Sequence, residues 1–170
     1  DILFKSGHYE ALPYNGEWQA IKYPWHLLNV LPLVLPTNAK PIIPASTKIH
    51  KSAVIEGAVV LGENVRVLPH ATIMGPCTIG DNTIVANNAL VRNSSIGENC
   101  VIGYNTEVVR SVLADNVWTH MSYVGDSVID ANTSLGGGTT LGNLRLDETE
   151  IQSHVKGEPT PTGLTKFGAI

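Results

Sequence analysis

Branched aliphatic side chains recur at every sixth position along the middle of the chain. The series begins at Ile43, runs unbroken to Val91 and, with single residues dropped, continues to Leu141. The fourth position after each member is small or β-branched almost throughout, as at Ala53 and Thr106. A period of six fits neither the 3.6-residue period of a helix nor the two-residue alternation of a strand. It predicts a short strand and a tight corner, repeated, with the series members pointing inward.

Three such units would close a triangular coil of about 18 residues, and stacked coils form a parallel β-helix. Glycine, asparagine and aspartate crowd the positions after each member, where the left-handed backbone angles of tight corners are needed. Single residues are dropped after Val91, Val108 and Val124, nearly one coil apart, which predicts one recurrent shortened corner. Chance periodicity is the alternative, and it is weak against a long unbroken series. The spacing does not give the handedness of the coil.

The two ends of the chain depart from this repeat, so that three segments are predicted. Residues 1–42 contain the stretch from Pro24 to Leu31, which predicts a short helix with proline in its first turn. We expect this segment to cover the open end of the β-helix. Residues 43–146 are the β-helix itself. Residues 147–170 predict a polar loop or arm, followed at Phe167 by the start of a truncated coil.

The composition narrows the class of protein. The chain has 170 residues and a net charge of −4, which suits one soluble domain. It lacks the basic stripe of a nucleic-acid-binding protein and any run of roughly 18 apolar residues, so neither nucleic acid nor membrane is an expected partner. Two cysteines make no disulfide framework and no secretory signal pattern is visible, so we expect a cytoplasmic protein. The first residue is not methionine, which is compatible with a piece of a longer chain.

His120 is the strongest candidate for chemistry from the residues alone. It lies beside two shortened repeats, where side chains are re-aimed, so His120 and Tyr123 are expected to face a cleft. An imidazole titrates near neutral pH and suits a catalytic base, the alternative being an ordinary surface histidine. Cys77 and Cys100 occupy the small inward position and are expected to be core thiols. The other histidines are scattered along the coils, so no structural metal is predicted.

Several stretches carry a more specific resemblance, above all HMSYVGD at residues 120–126. With the repeats, it resembles the bacterial transferase hexapeptide family. Within that family it resembles the acetyltransferase domain of archaeal-type bifunctional sugar-1-phosphate nucleotidyltransferase/glucosamine-1-phosphate N-acetyltransferases. The resemblance implies an all-β, left-handed parallel β-helix. The other matching stretches are KYPWHLL at 22–28, GPCTIGD at 75–81, ALVRNS at 89–94, LGGGT at 135–139 and NLR at 143–145.

The resemblance also implies a role for each candidate site residue. His120 is the base that takes the ammonium proton while acetyl passes from acetyl-CoA to an amine. Arg92 and Tyr123 hold the phosphate of the sugar, and an arginine fork binds phosphate bidentately. Asn143 hydrogen-bonds the sugar near its amine. Gly137 lies where the backbone meets acetyl-CoA.

Partners and two competing functions follow from the same resemblance. Family sites are built between the subunits of a trimer, which implies a homotrimer acting on an amino-sugar phosphate, and residues 1–42 are the remnant of a linker to a nucleotidyltransferase domain. The first hypothesis is an N-acetyltransferase acting on a hexosamine 1-phosphate in nucleotide-sugar biosynthesis. The alternative is a non-catalytic trimerising or regulatory domain of a sugar-1-phosphate nucleotidyltransferase. Its support is Val109 in place of a family lysine, Ser134 in place of an asparagine, and an expected truncation before the coenzyme site is complete. Gly137 also stands where the family usually has alanine.

Overall fold

The computed structural model describes Gly7, Glu10 and residues 12–38 and 40–170. The rest of the predicted N-terminal segment, at 1–6, 8, 9, 11 and 39, lies outside the described residues. In the described ranges, a membrane-spanning helix is not found, because none combines the required length with the required apolar character. The elements are α1 (His26–Val34), β1 (Lys48–Ile49), β2 (Val54–Glu56), β3 (Val59–Leu61), β4 (Arg66–Val67), β5 (Thr72–Met74), β6 (Cys77–Ile79), β7 (Ile84–Val85), β8 (Leu90–Arg92), β9 (Ser95–Ile96), β10 (Val101–Ile102), β11 (Glu107–Val109), β12 (Val112–Leu113), β13 (Tyr123–Gly125), β14 (Val128–Ile129), β15 (Ile151–Val155) and β16 (Glu158–Leu164).

Three parallel sheets form the three sides of the coil. Their strand orders are β1-β4-β7-β10, β2-β5-β8-β11-β13 and β3-β6-β9-β12-β14, so strands of successive coils lie side by side. In the second sheet, successive members of the inward row are 18, 18, 17 and 16 residues apart: Ile55, Ile73, Val91, Val108 and Val124. The predicted fold class is confirmed: the chain is a left-handed parallel β-helix of about five turns, preceded by one short helix.

The repeat members fill the interior, as their spacing predicts. From Leu61 to Leu113 every member of the series is at most 2% exposed. At the first coil the same positions are open, since Ile43 and Ile49 remain 42% and 38% exposed. Each coil therefore buries its own row only because a neighbouring coil covers it.

Asparagine holds one corner of the coil in the left-handed backbone region, once per turn. The side-chain amides of Asn64 and Asn116 each donate to the equivalent asparagine of the next coil, at 3.3 Å. A short polar side chain tolerates this backbone conformation better than other non-glycine residues. The φ angles lie between 55° and 59° at all five positions: Asn64, Asn82, Asn99, Asn116 and Asn132.

A ladder of serines holds the shortened corner. In a full six-residue corner the Ala58 carbonyl accepts from the Cys77 N–H (2.9 Å). Where a residue is dropped, the Ser94 hydroxyl accepts instead from the Ser111 N–H, and the Ser111 hydroxyl accepts from the Ser127 N–H, both at 3.1 Å. All three serines are fully buried. The hydroxyl thus replaces a backbone acceptor that the shorter corner no longer supplies, so the Ser111 and Ser127 amides stay paired there.

Helix α1 lies along the flank of the β-helix, beside β12 and β14. That residues 1–42 cover the open end stays a prediction. Leu27 borders a groove with Val112 and Val128, which point outward from β12 and β14. Trp25, immediately before the helix, is only 1% exposed. The outward valines form an apolar strip on the sheet, and burying it draws the helix to the side of the stack.

The C-terminal segment contains a hairpin where a loop or arm was predicted. β15 and β16 pair antiparallel on either side of Lys156 and Gly157, whose φ angles are 52° and 88°. Pro159 and Pro161 argue against a strand, but an edge strand tolerates proline where its missing N–H would face away from the partner. Beyond the hairpin the chain returns beside β14, and the Val128 N–H donates to the Ala169 carbonyl (2.9 Å).

Candidate functional site

His120 lies at the corner between the first and second sheets, just before β13. The preceding Thr119 fixes the backbone there, because its hydroxyl accepts from the Gly103 N–H (3.0 Å) and donates to the Val101 carbonyl (3.2 Å). The His120 side chain is exposed, and within the described part of the chain its ring nitrogens make no hydrogen bond. The backbone that carries the imidazole is therefore fixed, while both ring nitrogens remain available to a ligand.

Gly137 lies against the His120 ring. A β-carbon at position 137 would come 3.1 Å from His120 Cδ2 and 3.9 Å from Nε2. The first distance is tighter than an ordinary van der Waals contact, so a side chain there would press on the ring. The missing side chain leaves room for the imidazole in its observed position, and the predicted pair of His120 and Gly137 is adjacent in the structure.

Tyr123 and Asn143 meet at the other end of β13. The Asn143 Nδ2 group donates to the Tyr123 hydroxyl at 3.1 Å and also to the carboxylate of Asp126. The Tyr123 side chain leans over Gly125, where an added β-carbon would lie 2.5 Å from its hydroxyl oxygen. The tyrosine hydroxyl therefore points along the strand toward Asp126, whereas His120 precedes the strand.

Asp126 also accepts a two-pronged ion pair from Arg110. Arg110 Nε donates to Oδ1 at 2.6 Å and a terminal nitrogen donates to Oδ2 at 2.7 Å. The Asp126 side chain is 8% exposed. Hydrogen bonding to Asp126 raises the pKa of the Arg110 guanidinium. Both residues have positive φ, 47° and 49°, and stack at the same corner in successive coils.

Arg92, the predicted phosphate-binding residue, is paired within the chain. Its guanidinium donates to Glu107 Oε1 at 2.5 and 3.2 Å across the β8–β11 pair. Glu107 in turn lies level with Tyr123 in the sheet. The ion pair is partly exposed, at 41% and 31% of the two side chains, so solvent weakens it. A phosphate at this arginine would share it with Glu107.

The structure thus brings the predicted residues together in pairs. His120 lies against Gly137, and the Tyr123 hydroxyl accepts a hydrogen bond from Asn143. Arg92 pairs with Glu107, which lies level with Tyr123 in the sheet. Sequence reasoning did not assign a role to Asp126, Arg110 or Glu107. The signal for Asp126 was present, since it closes the HMSYVGD stretch, but its partners lie 16 and 17 residues away.

A groove of about 680 Å³ opens beside the Arg110–Asp126 pair. One wall is α1, with Leu28 and Leu31, and another is the end of β16 and the two residues after it, from Gly163 to Lys166. The ion pair is a charged spot in a largely aliphatic groove. In the described ranges, no group of three or more histidine, cysteine, aspartate or glutamate side chains is placed to hold a metal ion.

Cys77 and Cys100 have no exposed surface, and burial raises the pKa of both thiols. Since the thiolate is the reactive form, both are expected to resist iodoacetamide in the folded chain and to react after denaturation. Mass spectrometry of the adducts before and after guanidinium treatment measures this. Labelling of the native chain at the rate of a free thiol would contradict the buried placement.

The family described as "GMPPB C-terminal domain" matches residues 37–129, more than half of the chain. The chain belongs to this family. The GMPPB C-terminal domain match contains Arg92, His120, Tyr123 and Asp126. Gly137 and Asn143 lie beyond its end.

Curated relatives cover nearly all of the chain. It is 36% identical over 187 residues to "Bifunctional protein GlmU" of Methanococcus aeolicus, a match covering 99% of this chain and 40% of that protein. It is 31% identical over 177 residues to "Bifunctional sugar-1-phosphate nucleotidylyltransferase/acetyltransferase" of Sulfurisphaera tokodaii, covering 100% of this chain and 42% of the relative. The predicted resemblance to such bifunctional proteins is confirmed. The chain spans about two fifths of the length of these relatives.

One solved structure supports the fold of this GMPPB C-terminal domain member. It is the acetyltransferase domain of PglB from Neisseria gonorrhoeae in complex with acetyl coenzyme A, with a TM-score of 0.54. The match covers 68% of this chain and 59% of that one, at 15% sequence identity. At that identity the likeness establishes a shared fold alone.

Proposed function

We propose that the chain is an acetyltransferase domain that transfers acetyl from acetyl-CoA to the amine of a hexosamine 1-phosphate, in nucleotide-sugar biosynthesis. The observation that carries the proposal is His120, an exposed imidazole held at a corner beside Gly137, with both ring nitrogens free of described partners. The name of the Sulfurisphaera tokodaii relative, which includes an acetyltransferase, supports the same reaction class.

In the proposed step the amine nitrogen attacks the thioester carbonyl carbon. A C–N bond forms, the C–S bond breaks, and coenzyme A leaves as the free thiol. A protonated amine has no lone pair to attack with, so His120 takes the ammonium proton and passes it to solvent. The second proton, which the nitrogen loses once the C–N bond has formed, passes through the same imidazole to the departing sulfur. The oxyanion of the tetrahedral intermediate needs a donor, and a backbone N–H near Gly137 is the proposed source.

The remaining candidates are proposed to bind the sugar phosphate and the coenzyme. Arg92 and Tyr123 hold the phosphate, and Asn143 meets the sugar near its amine. Gly137 lets the backbone approach acetyl-CoA. The closeness of Tyr123 and Asn143, joined at 3.1 Å, supports their joint action on one ligand.

The assembly is part of the same proposal. We propose a homotrimer whose sites lie between subunits. Residues 1–42 would be an N-terminal cap with a helix, the remnant of a linker to a nucleotidyltransferase domain. Residues 43–146 would be the β-helix, and residues 147–170 a loop or arm and the start of a further coil. The GlmU-type relatives, more than twice as long as this chain, support such an added domain.

The proposal is tested by coenzyme A release. The chain is expected to release free coenzyme A thiol from acetyl-CoA only when glucosamine 1-phosphate is present. N-acetylglucosamine 1-phosphate is the matched control, because its nitrogen is already acylated and cannot attack. Equal thiol release with both sugars, or none with either, would contradict the proposal.

A second candidate is a non-catalytic trimerising or regulatory domain of a sugar-1-phosphate nucleotidyltransferase. The observation that favours it is the ion pair between Arg92 and Glu107. The arginine proposed to bind phosphate already binds a carboxylate of the chain itself. Calorimetry with acetyl-CoA distinguishes the two functions. Absence of binding heat at millimolar acetyl-CoA favours the non-catalytic domain, and saturable heat favours the acetyltransferase.

A further inference from the structure

The orientation of the Asn143 side-chain amide is set by Asp126. Both carboxylate oxygens of Asp126 already accept from Arg110, at 2.6 and 2.7 Å. A carboxylate has no hydrogen to donate, so an amide beside it must present its nitrogen. The Asn143 amide therefore faces Asp126 with Nδ2, and turning it over would place two acceptor oxygens against each other.

This orientation leaves one polar atom of Asn143 for a ligand. Nδ2 carries two hydrogens, and Asp126 and the Tyr123 hydroxyl accept one each. In the described ranges no residue donates to Oδ1. The buried side-chain nitrogen or oxygen that lacks a partner there is Trp25 Nε1, so Asn143 Oδ1 is not sealed from solvent. Asn143 consequently offers a hydrogen-bond acceptor outward.

Tyr123 offers the complementary group. Its oxygen accepts from Asn143, so its own hydroxyl hydrogen remains free to donate. The acceptor Oδ1 of Asn143 and the donor hydroxyl of Tyr123 then lie side by side, because Nδ2 of the same amide is 3.1 Å from the tyrosine oxygen. A ligand that matches them presents a donor to the first and an acceptor to the second.

We propose that Asp126, held by Arg110, is a positioning residue that keeps the Asn143 carbonyl oxygen toward the substrate. The site thereby selects a ligand that presents an amine or hydroxyl donor to Asn143 and an acceptor oxygen to Tyr123. The identity of that ligand rests on the proposed function; the orientation of the amide does not.

The chain supplies a matched control for losing an arginine–carboxylate pair. Arg145 and Asp147 form the same two-pronged contact, at 2.8 Å for each bond. Both side chains are about half exposed, and Asp147 bonds no asparagine in the described part of the chain. Removing Asp147 takes away an ion pair of equal geometry without touching Asn143.

The first test reads the amide directly, without any substrate. In ¹⁵N-asparagine-labelled protein, both Asn143 side-chain protons are expected to exchange with solvent slowly. Asp126→Gly removes the acceptor and suits the left-handed backbone there (φ 49°). It is expected to speed exchange about tenfold, as the loss of one hydrogen bond predicts. Asp126→Asn keeps one acceptor oxygen and should retain most of the protection, and Asp147→Gly should retain all of it. Rapid exchange in the wild-type chain, or unchanged exchange in Asp126→Gly, would overturn the orientation.

The second test measures how strongly the site prefers a ligand with an amine. Asp126→Gly is expected to raise KM for glucosamine 1-phosphate about tenfold while KM for acetyl-CoA stays unchanged. In binding measurements, the preference of the wild-type chain for glucosamine 1-phosphate over 2-deoxyglucose 1-phosphate should disappear in Asp126→Gly. An equal effect of Asp147→Gly, or an unchanged preference, would overturn the selection. A wild-type chain that acetylates no amino sugar contradicts the proposed function and the ligand named here, while amide exchange still decides the orientation.

Discussion

Replacing His120 by alanine is expected to lower kcat/KM for acetyl transfer by about 10²–10⁴-fold, the usual contribution of a general base. The amine must lose a proton as it attacks, and without the imidazole only water takes it. The fold should not suffer, because the side chain is exposed and its ring meets Gly137 at the edge of the corner. Initial rates of thiol release, measured beside thermal unfolding curves, separate loss of chemistry from loss of structure.

His154 provides the control for this substitution. It is also an exposed histidine, but it lies on β15 in the C-terminal hairpin, away from the corner before β13. His154→Ala should therefore leave kcat/KM within about twofold of the wild-type value, as expected for a surface change away from the chemistry. Retained turnover in His120→Ala, or an equal loss in His154→Ala, would remove His120 from the role of base.

The stacked part of the fold could be predicted because its constraint is local and repeated. A residue such as Val91 must face inward in its own coil, and the next coil imposes the same demand on Val108. Each coil thus requires the same kind of residue at the same position, and this requirement appears in the sequence as the six-residue period. Even the shortened corner is visible, because a dropped residue shifts every later member of the series. The serines whose hydroxyls pair with the amides of that corner, such as Ser111, look like ordinary polar residues until the neighbouring coil is known.

Features that join distant parts of the chain left no comparable signal. Asn143 and Asp126 are 17 residues apart, close to one coil, yet no single-sequence pattern shows that their side chains bond. The position of α1 depends on Val112 and Val128 facing outward, and an outward valine breaks no rule of the repeat. Candidate residues could therefore be named from the sequence, whereas their pairing through Asp126 and Glu107 required the structure.

Replacing Ile73 by alanine is expected to lower the free energy of unfolding by about 2–5 kcal/mol, as for other large-to-small core substitutions. Ile73 is fully buried and lies level with Ile55 and Val91 of the adjacent coils. Strand pairing fixes the distance between coils, so the neighbours cannot move in to fill the space, and the cavity persists. Equilibrium denaturation in urea measures the loss as a lower midpoint.

The next residue on the same strand tests whether inward facing is the cause. Met74 follows Ile73 on β5, points to the opposite face and is 43% exposed. Met74→Ala removes a side chain of similar size, but water already contacts it, so the expected change is within about 0.5 kcal/mol. Two adjacent positions on one strand then differ several-fold in their effect because the strand alternates between core and solvent. Equal destabilisation by both substitutions would contradict the assignment of Ile73 to the shared interior, since only a residue enclosed by the coils on both sides leaves a cavity that none of them can fill.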